Sequence, residues 1–507
     1  MSGKQNDAKA LRPAEKLANA QNWKHLARWN GEGFYELKTE DTGEARVRLF
    51  FTPQLLEAAE EILYRQIVNA TRFPGVRMVV ITPDAHYGYG VPVGCVLITD
   101  AQAGAVAMGP VGYDIGCGMM SARSSVEAEA ATPERRLEFN RAVMGRVNMG
   151  FGGKSLKLGR LSEDEFQKLV RGGAEYYVER YGATFDRGHA ERHRIPVDDE
   201  WQIPFGGKGR PERGRDQLGS LGGGNHFIEL QRSSQTGTLF VQVHTGSRGF
   251  GHGLATNYFE LAREEHPELL KDIDLGYFTP ESKHYRDYLN AVAAGGNYAI
   301  LNRLVIFEQV SEAFREVFGE ELELVYEISH NLVQKEWHPE FGDVWVHRKG
   351  ATRAFPAGHP FLKGTVWEET GHPVLIPGSN KDWSYILRPL AGAERSGFSV
   401  NHGAGRRISR GEANRTLSQR QMDDEYREAG IVVNADGRVP LDEAAPCYKP
   451  SEEVVAAVVG AGLAEIEHSL WPLASLKGVD ELKRRKGKGK QDRKGGRIEG
   501  KKTSEHY

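Results

Sequence analysis

Long hydrophobic runs are absent from this sequence. No stretch approaches the roughly 18–20 consecutive apolar residues of a membrane-spanning helix, so no such helix is expected. The first residues carry charges without a following apolar segment, so we predict no secretory signal. Cysteine is also scarce, and the three thiols of Cys95, Cys117 and Cys447 cannot build a disulfide framework. These absences together predict a reducing, cytoplasmic location.

Glycine, by contrast, is abundant. The chain has 507 residues and 60 glycines, well above the average share of about 7%. The glycines occur in short clusters beside His, Asp and Asn rather than in a low-complexity pattern. With 39% hydrophobic and 27% charged residues, the rest of the composition indicates a soluble globular protein with enough chain for a large core.

Charge is distributed unevenly along the chain. Residues 483–502 hold eleven Lys and Arg against Asp492 and Glu499, a charge of +9. The net charge of the chain is −3, so the remaining residues carry −12. Such a segment cannot pack a core, and we predict that the tail 479–507 is disordered, as are residues 1–20. The tail is either a tether for a polyanion such as nucleic acid or a solvated segment without a specific role.

Hydrophobic periodicity changes between helix and strand without regular alternation. Helical spacing predicts helices over 53–70, over 285–318 with a break at Gly295–Gly296, and over 451–468. Short apolar runs predict strands at 78–81, 93–98, 225–231, 238–247 and 322–331, with further short strands between 344 and 410. The polar, Gly- and Arg-rich stretch 150–224 is interpreted as a long surface excursion. We therefore predict an α+β fold with a mixed sheet and irregular connections in one large domain.

Five segments place a potential metal ligand at the end of an apolar strand or inside a glycine-rich turn. They contain Asp84 and His86 in PDAHYGYG, Asp114 and Cys117 in GYDIGCGM, Asn225, His226 and Glu229 in GGGNHFIE, His244 in VQVHTGSRG, and His330 in EISHNLVQ. Carboxylate and imidazole together suit Mn²⁺ or Zn²⁺, and a thiolate can bridge two ions. A lone histidine at a strand end is more often a hydrogen-bonded structural residue, so the spacing makes a metal site plausible and no more. Cys95 and Cys447 have no such context and are predicted to be ordinary buried thiols.

Nine motifs resemble, in order, those of the RtcB family of RNA-splicing ligases. They are PDAHYGYGVPVG, GPVGYDIGCGM, LGSLGGGNHFIEL, VHTGSRGFG, YLNAVAAGGNYAILNR, ISHNLVQKE, HRKGATRAFPAGHP, VLIPGS and HGAGRRISR. The resemblance covers about residues 50–478 and implies an RtcB-like catalytic domain over 21–478. It implies joining of an RNA 3′-phosphate or 2′,3′-cyclic phosphate to a 5′-hydroxyl, in RNA repair or tRNA splicing. GTP and two Mn²⁺ ions would be required, with an archease-like activator as a possible further partner.

The resemblance also assigns roles to individual residues. Cys117 would bridge the two ions, with Asp114 and His226 completing one shell and His244 and His330 the other. His402 would accept GMP, and Asp84 matches an essential aspartate. Nucleotide-contacting positions would be Asn225, Phe227, Glu229, Ser379, Ser384, Gly403, Ala404, Gly405, Tyr448 and Lys477, with Glu229 reading the guanine. Arg248 and Arg406 match arginines expected near RNA or nucleotide phosphates.

The sequence departs from the family pattern beside the expected nucleotide site. After PGS the family usually has Met-Gly-Thr and a small residue, whereas this chain has Asn380-Lys381-Asp382-Trp383 before Ser384. Cys95 stands where the family usually has glycine, and the basic tail extends past the usual end, which suggests a divergent paralogue. Two other functions stay open at this point. One is a metal-dependent cyclic phosphodiesterase or RNA end-processing enzyme without guanylylation, and the other is a silent RNA-binding protein.

Overall fold

The structure, a computed structural model, describes residues 16–183, 194–267 and 273–478. The predicted disordered segments fall mainly outside this part: the tail 479–507 and residues 1–15 are not described. Residues 16–20 are described, and there the Asp41 carboxylate accepts the backbone N–H groups of Ala18 and Asn19. Within the described residues no helix is long and apolar enough to cross a membrane.

Ten α-helices lie in the described residues. They are α1 (Trp23–Leu26), α2 (Pro53–Glu57), α3 (Glu61–Ala70), α4 (Pro133–Met144), α5 (Glu163–Tyr181), α6 (Arg248–Glu265), α7 (Tyr285–Phe318), α8 (Arg410–Thr416), α9 (Gln419–Glu428) and α10 (Ser451–Gly460). Local sequence determines where several of them begin. Thr132 precedes Pro133 and its side chain accepts the N–H of Arg135, and Ser162 accepts that of Glu165 in the same way.

Nineteen strands accompany these helices in the described residues. They are β1 (Ala27–Trp29), β2 (Tyr35–Leu37), β3 (Arg46–Leu49), β4 (Val76–His86), β5 (Val93–Asp100), β6 (Val106–Ala107), β7 (Gly118–Glu127), β8 (Phe227–Ser233), β9 (Thr238–Thr245), β10 (Tyr277–Phe278), β11 (Glu323–Ser329), β12 (Asn331–His338), β13 (Gly342–Lys349), β14 (Ala351–Arg353), β15 (Val374–Ile376), β16 (Ser384–Pro389), β17 (Ser399–Asn401), β18 (Val432–Val433) and β19 (Ala464–Lys477).

Two large sheets organise the domain. The first has the order β1-β2-β3-β4-β5-β13-β12, and the second has the order β11-β7-β9-β8-β19-β16-β15, with β18 added beside β19. Most pairs are antiparallel, but β3 pairs parallel with β4 and β18 parallel with β19. The predicted α+β fold with mixed sheets in one domain is therefore confirmed.

Both faces of the first sheet are buried. Along β4, Val79 and Ile81 pack with α2 and α3, whereas Met78 and Val80 pack with β15, β16 and α10 between the two sheets. Alternate residues of a strand point to opposite faces, so a continuous apolar run is what a strand buried on both sides requires. The second sheet is covered on its other face by α4, α5, α6 and α7, which form the largest core.

Three helix predictions differ from the structure. The segment 53–70 forms two helices, because residues 58–60 separate α2 from α3. The predicted break at Gly295–Gly296 is wrong, since α7 is continuous; an added Cβ at Gly295 would lie 2.9 Å from Ile115, so this glycine serves close packing. The helix predicted over 451–468 ends at Gly460, because Gly462 adopts a positive φ of 65° and the chain then pairs along β19.

The stretch 150–224 is less superficial than predicted. It contains α5, whose side chains Phe166, Leu169 and Val170 are fully buried in the largest core. The stretch was predicted to lie on the surface because its many Gly and Arg residues outnumber the few apolar residues that α5 buries. The predicted strands agree more closely with the structure, and each of them lies within or overlaps an observed strand.

Candidate metal centre and nucleotide pocket

Adjacent strands of the second sheet bring three predicted metal ligands to one edge. Cys117 directly precedes β7, His244 lies near the end of β9, and His330 directly follows β11. In the ladder, Gly118 pairs with Thr245 on one side and with Ser329 on the other. Residues at these strand ends are therefore neighbours in space although they are far apart in sequence.

The five predicted ligand side chains converge around the sulfur of Cys117. Its Sγ lies 3.3 Å from Nε2 of His244 and 3.6 Å from Nε2 of His226. Nε2 of His226 is 3.1 Å from Oδ2 of Asp114, and Nε2 of His244 is 3.3 Å from Nε2 of His330. Two triads result, Asp114–Cys117–His226 and Cys117–His244–His330, and within each the candidate ligand atoms lie within 4.8 Å of one another. Cys117 is common to both.

Hydrogen bonds at the opposite ring nitrogen orient two of the histidines. Nδ1 of His226 lies 3.1 Å from the carbonyl oxygen of Leu221, and Nδ1 of His244 lies 3.1 Å from that of Asn225. A carbonyl oxygen only accepts, so each Nδ1 carries a proton and Nε2 is the nitrogen that faces the centre. Backbone carbonyls thus select the tautomer that a metal ligand needs.

The protonation states suit a cation as well. Burial lowers the pKa of His244 and His330 well below the ordinary histidine value, so both rings are neutral near pH 7. Burial by itself would raise the pKa of Asp114, but its contact with His226 holds it at about 2. Burial also raises the pKa of the Cys117 thiol, a shift that a bound cation reverses. A carboxylate, three imidazoles and one thiol placed to bridge fit two ions of the Mn²⁺ or Zn²⁺ kind.

His402 lies beside this centre and is held by Asp84. Nδ1 of His402 is 2.6 Å from Oδ2 of Asp84, and that oxygen also accepts the backbone N–H groups of His402 and Gly403. The His402 and His330 rings are 4.9 Å apart. Burial alone would raise the pKa of Asp84, but the imidazole of His402 keeps it below its usual value, so the carboxylate is ionised. The pair leaves Nε2 of His402 as the available nucleophile.

Three further residues fix the position of Asp84. The hydroxyl of Thr82 donates to Oδ1 at 2.6 Å. Lys449 donates to the carbonyl oxygens of Pro83 and Ala85, on either side of the aspartate. Gly405 has φ 78°, and a Cβ there would lie 2.0 Å from the carbonyl oxygen of Asp84, so only glycine permits this approach. The structure thereby joins the first and last motifs of the sequence.

A second pocket wall carries Glu229. This carboxyl is buried on β8, accepts from Nε2 of Gln231 at 2.8 Å, and shares that donor with Oγ of Ser384 at 3.1 Å. Burial raises the pKa of Glu229 to about 7 despite the hydrogen bond from Gln231 and the charge of Lys477. Near pH 7 the carboxyl is therefore only partly ionised, and two N–H donors from a ligand would favour its ionised form.

Four side chains surround the buried carboxylate of Glu443. Oε1 lies 3.4 Å from Arg406 and 3.0 Å from Arg410, Oε2 lies 3.9 Å from Nζ of Lys477, and Tyr448 donates its hydroxyl to Oε2. Three cations around one carboxylate leave a positive surplus, as an anionic ligand requires.

The other predicted nucleotide positions surround these groups. Nζ of Lys477 lies 5.3 Å from the centre of the Phe227 ring, and Asn225 contributes the carbonyl that orients His244. Ser379 and Ser384 flank the loop at 380–383; Oγ of Ser384 accepts the N–H of Gly378. Ala404 is buried between Gly403 and Gly405.

The loop 380–383, whose residues differ from the family pattern, packs into the fold through its own contacts. Asn380 accepts the hydroxyl of Tyr426, and Nζ of Lys381 lies 2.7 Å from Oε2 of Glu425, so both tie the loop to α9. Trp383 packs against Trp471 of β19 at 5.0 Å between ring centres. The changed residues therefore form a coherent wall beside Ser384.

Arg248 contacts backbone and hydroxyl oxygens in this structure, and its predicted role near a phosphate stays a prediction. The residue is 8% exposed, and its guanidinium donates to Oγ of Ser220 and to the carbonyl oxygens of Gly150 and Phe151. The side chain lies beside the loop that carries His226, where these contacts anchor the backbone. Arg406 lies against Tyr448, with its Cζ 5.1 Å from the centre of the tyrosine ring.

The residues predicted from the sequence do not include Glu443, Arg410, Lys449 or Arg303. Their partners come from other segments, so no local spacing reveals them. Arg303 lies inside the quoted helix motif YLNAVAAGGNYAILNR, and a charged residue within a continuous apolar helical face is the signal that was available.

Comparison with known proteins agrees with this geometry. The family model described as tRNA-splicing ligase RtcB matches residues 66–478. A tRNA-splicing ligase RtcB of Pyrobaculum aerophilum is 36% identical over 464 residues, which is 85% of this chain and 94% of the relative. That of Thermococcus kodakarensis is 35% identical over 461 residues, 85% and 94%. An RNA-splicing ligase RtcB of Mycobacterium tuberculosis is 35% identical over 441 residues, 82% and 100%. This chain belongs to the RtcB family of tRNA-splicing ligases, which are RNA-joining enzymes.

Proposed function

We propose that the protein is a GTP- and Mn²⁺-dependent RNA ligase that joins a 3′-phosphate or 2′,3′-cyclic phosphate end to a 5′-hydroxyl through guanylylated His402. The observation that supports this most directly is the Asp84–His402 pair, 4.9 Å in ring separation from a ligand of the Cys117 centre. An oriented imidazole beside a two-ion ligand set is what nucleotidyl transfer to histidine requires. A need for an archease-like activator and a cytoplasmic location stay predictions.

The candidate ligands would divide between two ions, with Cys117 common to both sets. Asp114 and His226 would hold one, and His244 and His330 the other. Mn²⁺ bound there would supply positive charge next to the phosphate groups of GTP and RNA. The protein's own contribution is the fixed direction of each Nε2, set by the carbonyls of Leu221 and Asn225.

His402 is proposed to attack the α-phosphorus of GTP through Nε2. A P–N bond forms, the bond to the bridging oxygen breaks, and pyrophosphate leaves. Asp84 keeps the ring proton on Nδ1 and stabilises the positive charge that develops on the imidazole. The backbone N–H of Gly403 donates to Asp84, so in this structure it supports the aspartate rather than a phosphate.

Glu229 is proposed to recognise the guanine. An ionised carboxylate accepts from the N1 and N2 donors of the base, which adenine does not present in that arrangement. Lys477 and Tyr448, together with Phe227 below Lys477, form the rest of the wall around the nucleotide. The positive charge of Lys477 suits the phosphates of the nucleotide.

The RNA steps then follow from the same centre. A cyclic phosphate is first hydrolysed to a 3′-phosphate, one P–O bond being replaced by another. An oxygen of the 3′-phosphate attacks the phosphorus on His402, the P–N bond breaks, and RNA(3′)pp(5′)G forms. The 5′-hydroxyl finally attacks the activated 3′-phosphorus and expels GMP. Positioning of the reacting ends dominates such displacements.

Intact-mass measurement tests the proposal. Incubation of the full chain with GTP and Mn²⁺ is expected to add one GMP, and omission of either component or His402→Ala is expected to prevent it. His359→Ala is the matched control, because His359 stacks on Phe355 outside the site. Opening of a cyclic phosphate without a GMP adduct or ligated product would contradict the proposal and favour an end-processing enzyme.

A further inference from the structure

A single buried guanidinium lies behind the metal-ligand triad. Arg303 is on α7 with no exposed surface, and its Nη1 donates to the carbonyl oxygens of Gly116 at 2.7 Å and Thr245 at 2.9 Å. Its Nη2 donates to the hydroxyl of Ser329 at 2.8 Å. The carboxylate of Glu327, also fully buried, pairs with the guanidinium.

Each of these acceptors is a sequence neighbour of a candidate ligand. Gly116 precedes Cys117, Thr245 follows His244, and Ser329 precedes His330. The three ligands belong to segments up to 213 positions apart in the chain, and one side chain contacts all three segments. All three members of the Cys117–His244–His330 triad are thus one residue away from the same hydrogen-bonding fork.

Backbone hydrogen bonds join two of these strand ends past the ladder: the N–H of His330 donates to the carbonyl of Cys117 and the N–H of Gly116 to that of Asn331, each at 2.7 Å. Arg303 adds a contact that includes the His244 segment. Gly118 is the terminal paired position of β7 in both ladders, opposite Thr245 and Ser329. The carbonyl of Gly116 lies beyond that position, and a buried carbonyl needs a donor. Arg303 supplies it from the helix, which approaches closely because Gly116 has no side chain: a Cβ there would lie 2.7 Å from that of Ala299.

Asn302, the residue before Arg303, contacts segments next to the Asp114–Cys117–His226 triad. Oδ1 of Asn302 accepts the N–H of Gly219, and its Nδ2 donates to Oγ1 of Thr245 and the carbonyl oxygen of Gly246. That threonine hydroxyl donates to the carbonyl of Leu221, which also receives Nδ1 of His226. Consecutive residues of α7 therefore contact the segments that carry both triads.

We propose that Arg303 is a positioning residue of the metal centre, whose planar fork sets the relative positions of Cys117, His244 and His330. This inference rests on the proposed metal site. The planar fork matters because one nitrogen pair must reach three acceptors at fixed angles, which a lysine ammonium on a flexible stem does not reproduce.

The test separates positioning from stability by removing the whole ion pair. A buried ion pair replaced by apolar residues of similar size is often neutral or stabilising. We therefore expect Arg303→Met combined with Glu327→Met to leave no unpaired buried charge, and to lower the unfolding midpoint of the full chain only because the carbonyls of Gly116 and Thr245 lose a donor. Co²⁺ is the probe, because a cysteine thiolate bound to it gives a charge-transfer band and its d–d bands report ligand geometry.

The expected result is a wild-type charge-transfer band that is absent in Cys117→Ser. The double variant should bind Co²⁺ about 10- to 100-fold more weakly, with shifted d–d bands, as changes behind metal ligands commonly cause. The matched control replaces another buried pair, Arg348 and Glu336, by methionine and should leave affinity and spectrum unchanged.

Two outcomes would overturn the inference, and they differ. A wild-type chain without the charge-transfer band overturns the metal site and the role of Arg303 with it. A normal wild-type band, with equal affinity and spectrum in the double variant, overturns the role of Arg303 alone. If the double variant does not fold, Arg303→Lys replaces it: weaker Co²⁺ binding supports the inference, and wild-type affinity contradicts it.

Discussion

At the scale of single residues, the chemistry depends on pairs that come from opposite ends of the sequence. Asp84 and His402 are separated by 318 positions, yet Oδ2 of the aspartate contacts Nδ1 of the histidine and two backbone N–H groups. Glu229 is likewise defined by its surroundings, because burial raises its pKa to about 7 against the opposing effects of Gln231 and Lys477. Both groups allow a prediction at this scale.

Asp84→Asn is expected to slow guanylylation of His402 by about 10³- to 10⁴-fold, the effect seen when an orienting aspartate becomes an amide. The amide removes the charge that holds the proton on Nδ1 and stabilises the imidazolium. Rates of GMP adduct formation by mass spectrometry measure this. Thr82→Val, which removes only the 2.6 Å hydrogen bond to the other oxygen, is the milder control. A D84N rate within tenfold of wild type would refute the assignment.

Glu229 should make stability depend on pH in the absence of nucleotide. Its folded pKa of about 7 lies above the ordinary 4.5, so the unfolded chain ionises first and stability falls as pH rises from about 4.5 to 7. At pH 8 the ionised carboxylate costs about 3 kcal/mol. Glu229→Gln avoids this cost, so its stability relative to wild type should be higher at pH 8 than at pH 5 in denaturant unfolding. A difference that does not vary with pH would contradict the shift.

At the scale of elements, α7 and the glycine turns bring backbone close to backbone. Gly116 has φ 76° and lies against Ala299 and Gly296, whereas Gly319, with φ 79°, ends α7 with no neighbour near its missing side chain. The glycine pair predicted to break α7 instead allows Ile115 to pack against it. Helix continuity was decided by packing against the sheet, which outweighs the low helix propensity of glycine.

The two glycines give a matched pair of alanine substitutions. Both incur the strain of a side chain in a left-handed conformation, roughly 1–2 kcal/mol. Gly116→Ala adds a clash with α7 and should displace Cys117, so Co²⁺ affinity is expected to fall at least tenfold, as for other disturbances behind metal ligands. Gly319→Ala should lose stability only. Equal metal affinity in the two variants, measured by titration, would show that the turn tolerates displacement.

At the scale of the whole molecule, the catalytic domain and the charged tail divide the charge. The tail carries +9 over residues 483–502, and the rest of the chain carries −12. The cluster around Glu443 nevertheless places three cations, Arg406, Arg410 and Lys477, beside one carboxylate. Attraction of a long polyanion is therefore expected to depend on the tail as well as on the cluster around Glu443.

Removal of residues 479–507 is expected to weaken RNA binding and to reduce its dependence on salt, because fewer counterions are released. Guanylylation of His402 should continue at an unchanged rate, since every residue proposed for that step lies before residue 479. RNA binding measured from about 50 to 200 mM salt gives the slope. An unchanged slope would show that the tail is a solvated segment without a role in RNA binding.

The sequence by itself determined the family and the fold class, and the resemblance to that family named the five candidate ligands, because ordered glycine-flanked motifs are local features of the chain. It also predicted β4, β5, β8, β9 and β11, since an apolar run of a few residues needs no partner to be recognised, but not β7 or β19. It did not determine where α10 ends or that α7 continues through Gly295, because neighbouring strands and Ile115 decide both.

The tertiary structure alone decided which atoms meet. The contacts of Arg303 with Gly116, Thr245 and Ser329, and the cluster around Glu443, join segments whose spacing carries no signal. It also placed Arg248 against backbone carbonyls, a partner that residue type cannot reveal. Hydrogen bonds and burial depend on distance in space, and a one-dimensional pattern records residue types but not those distances.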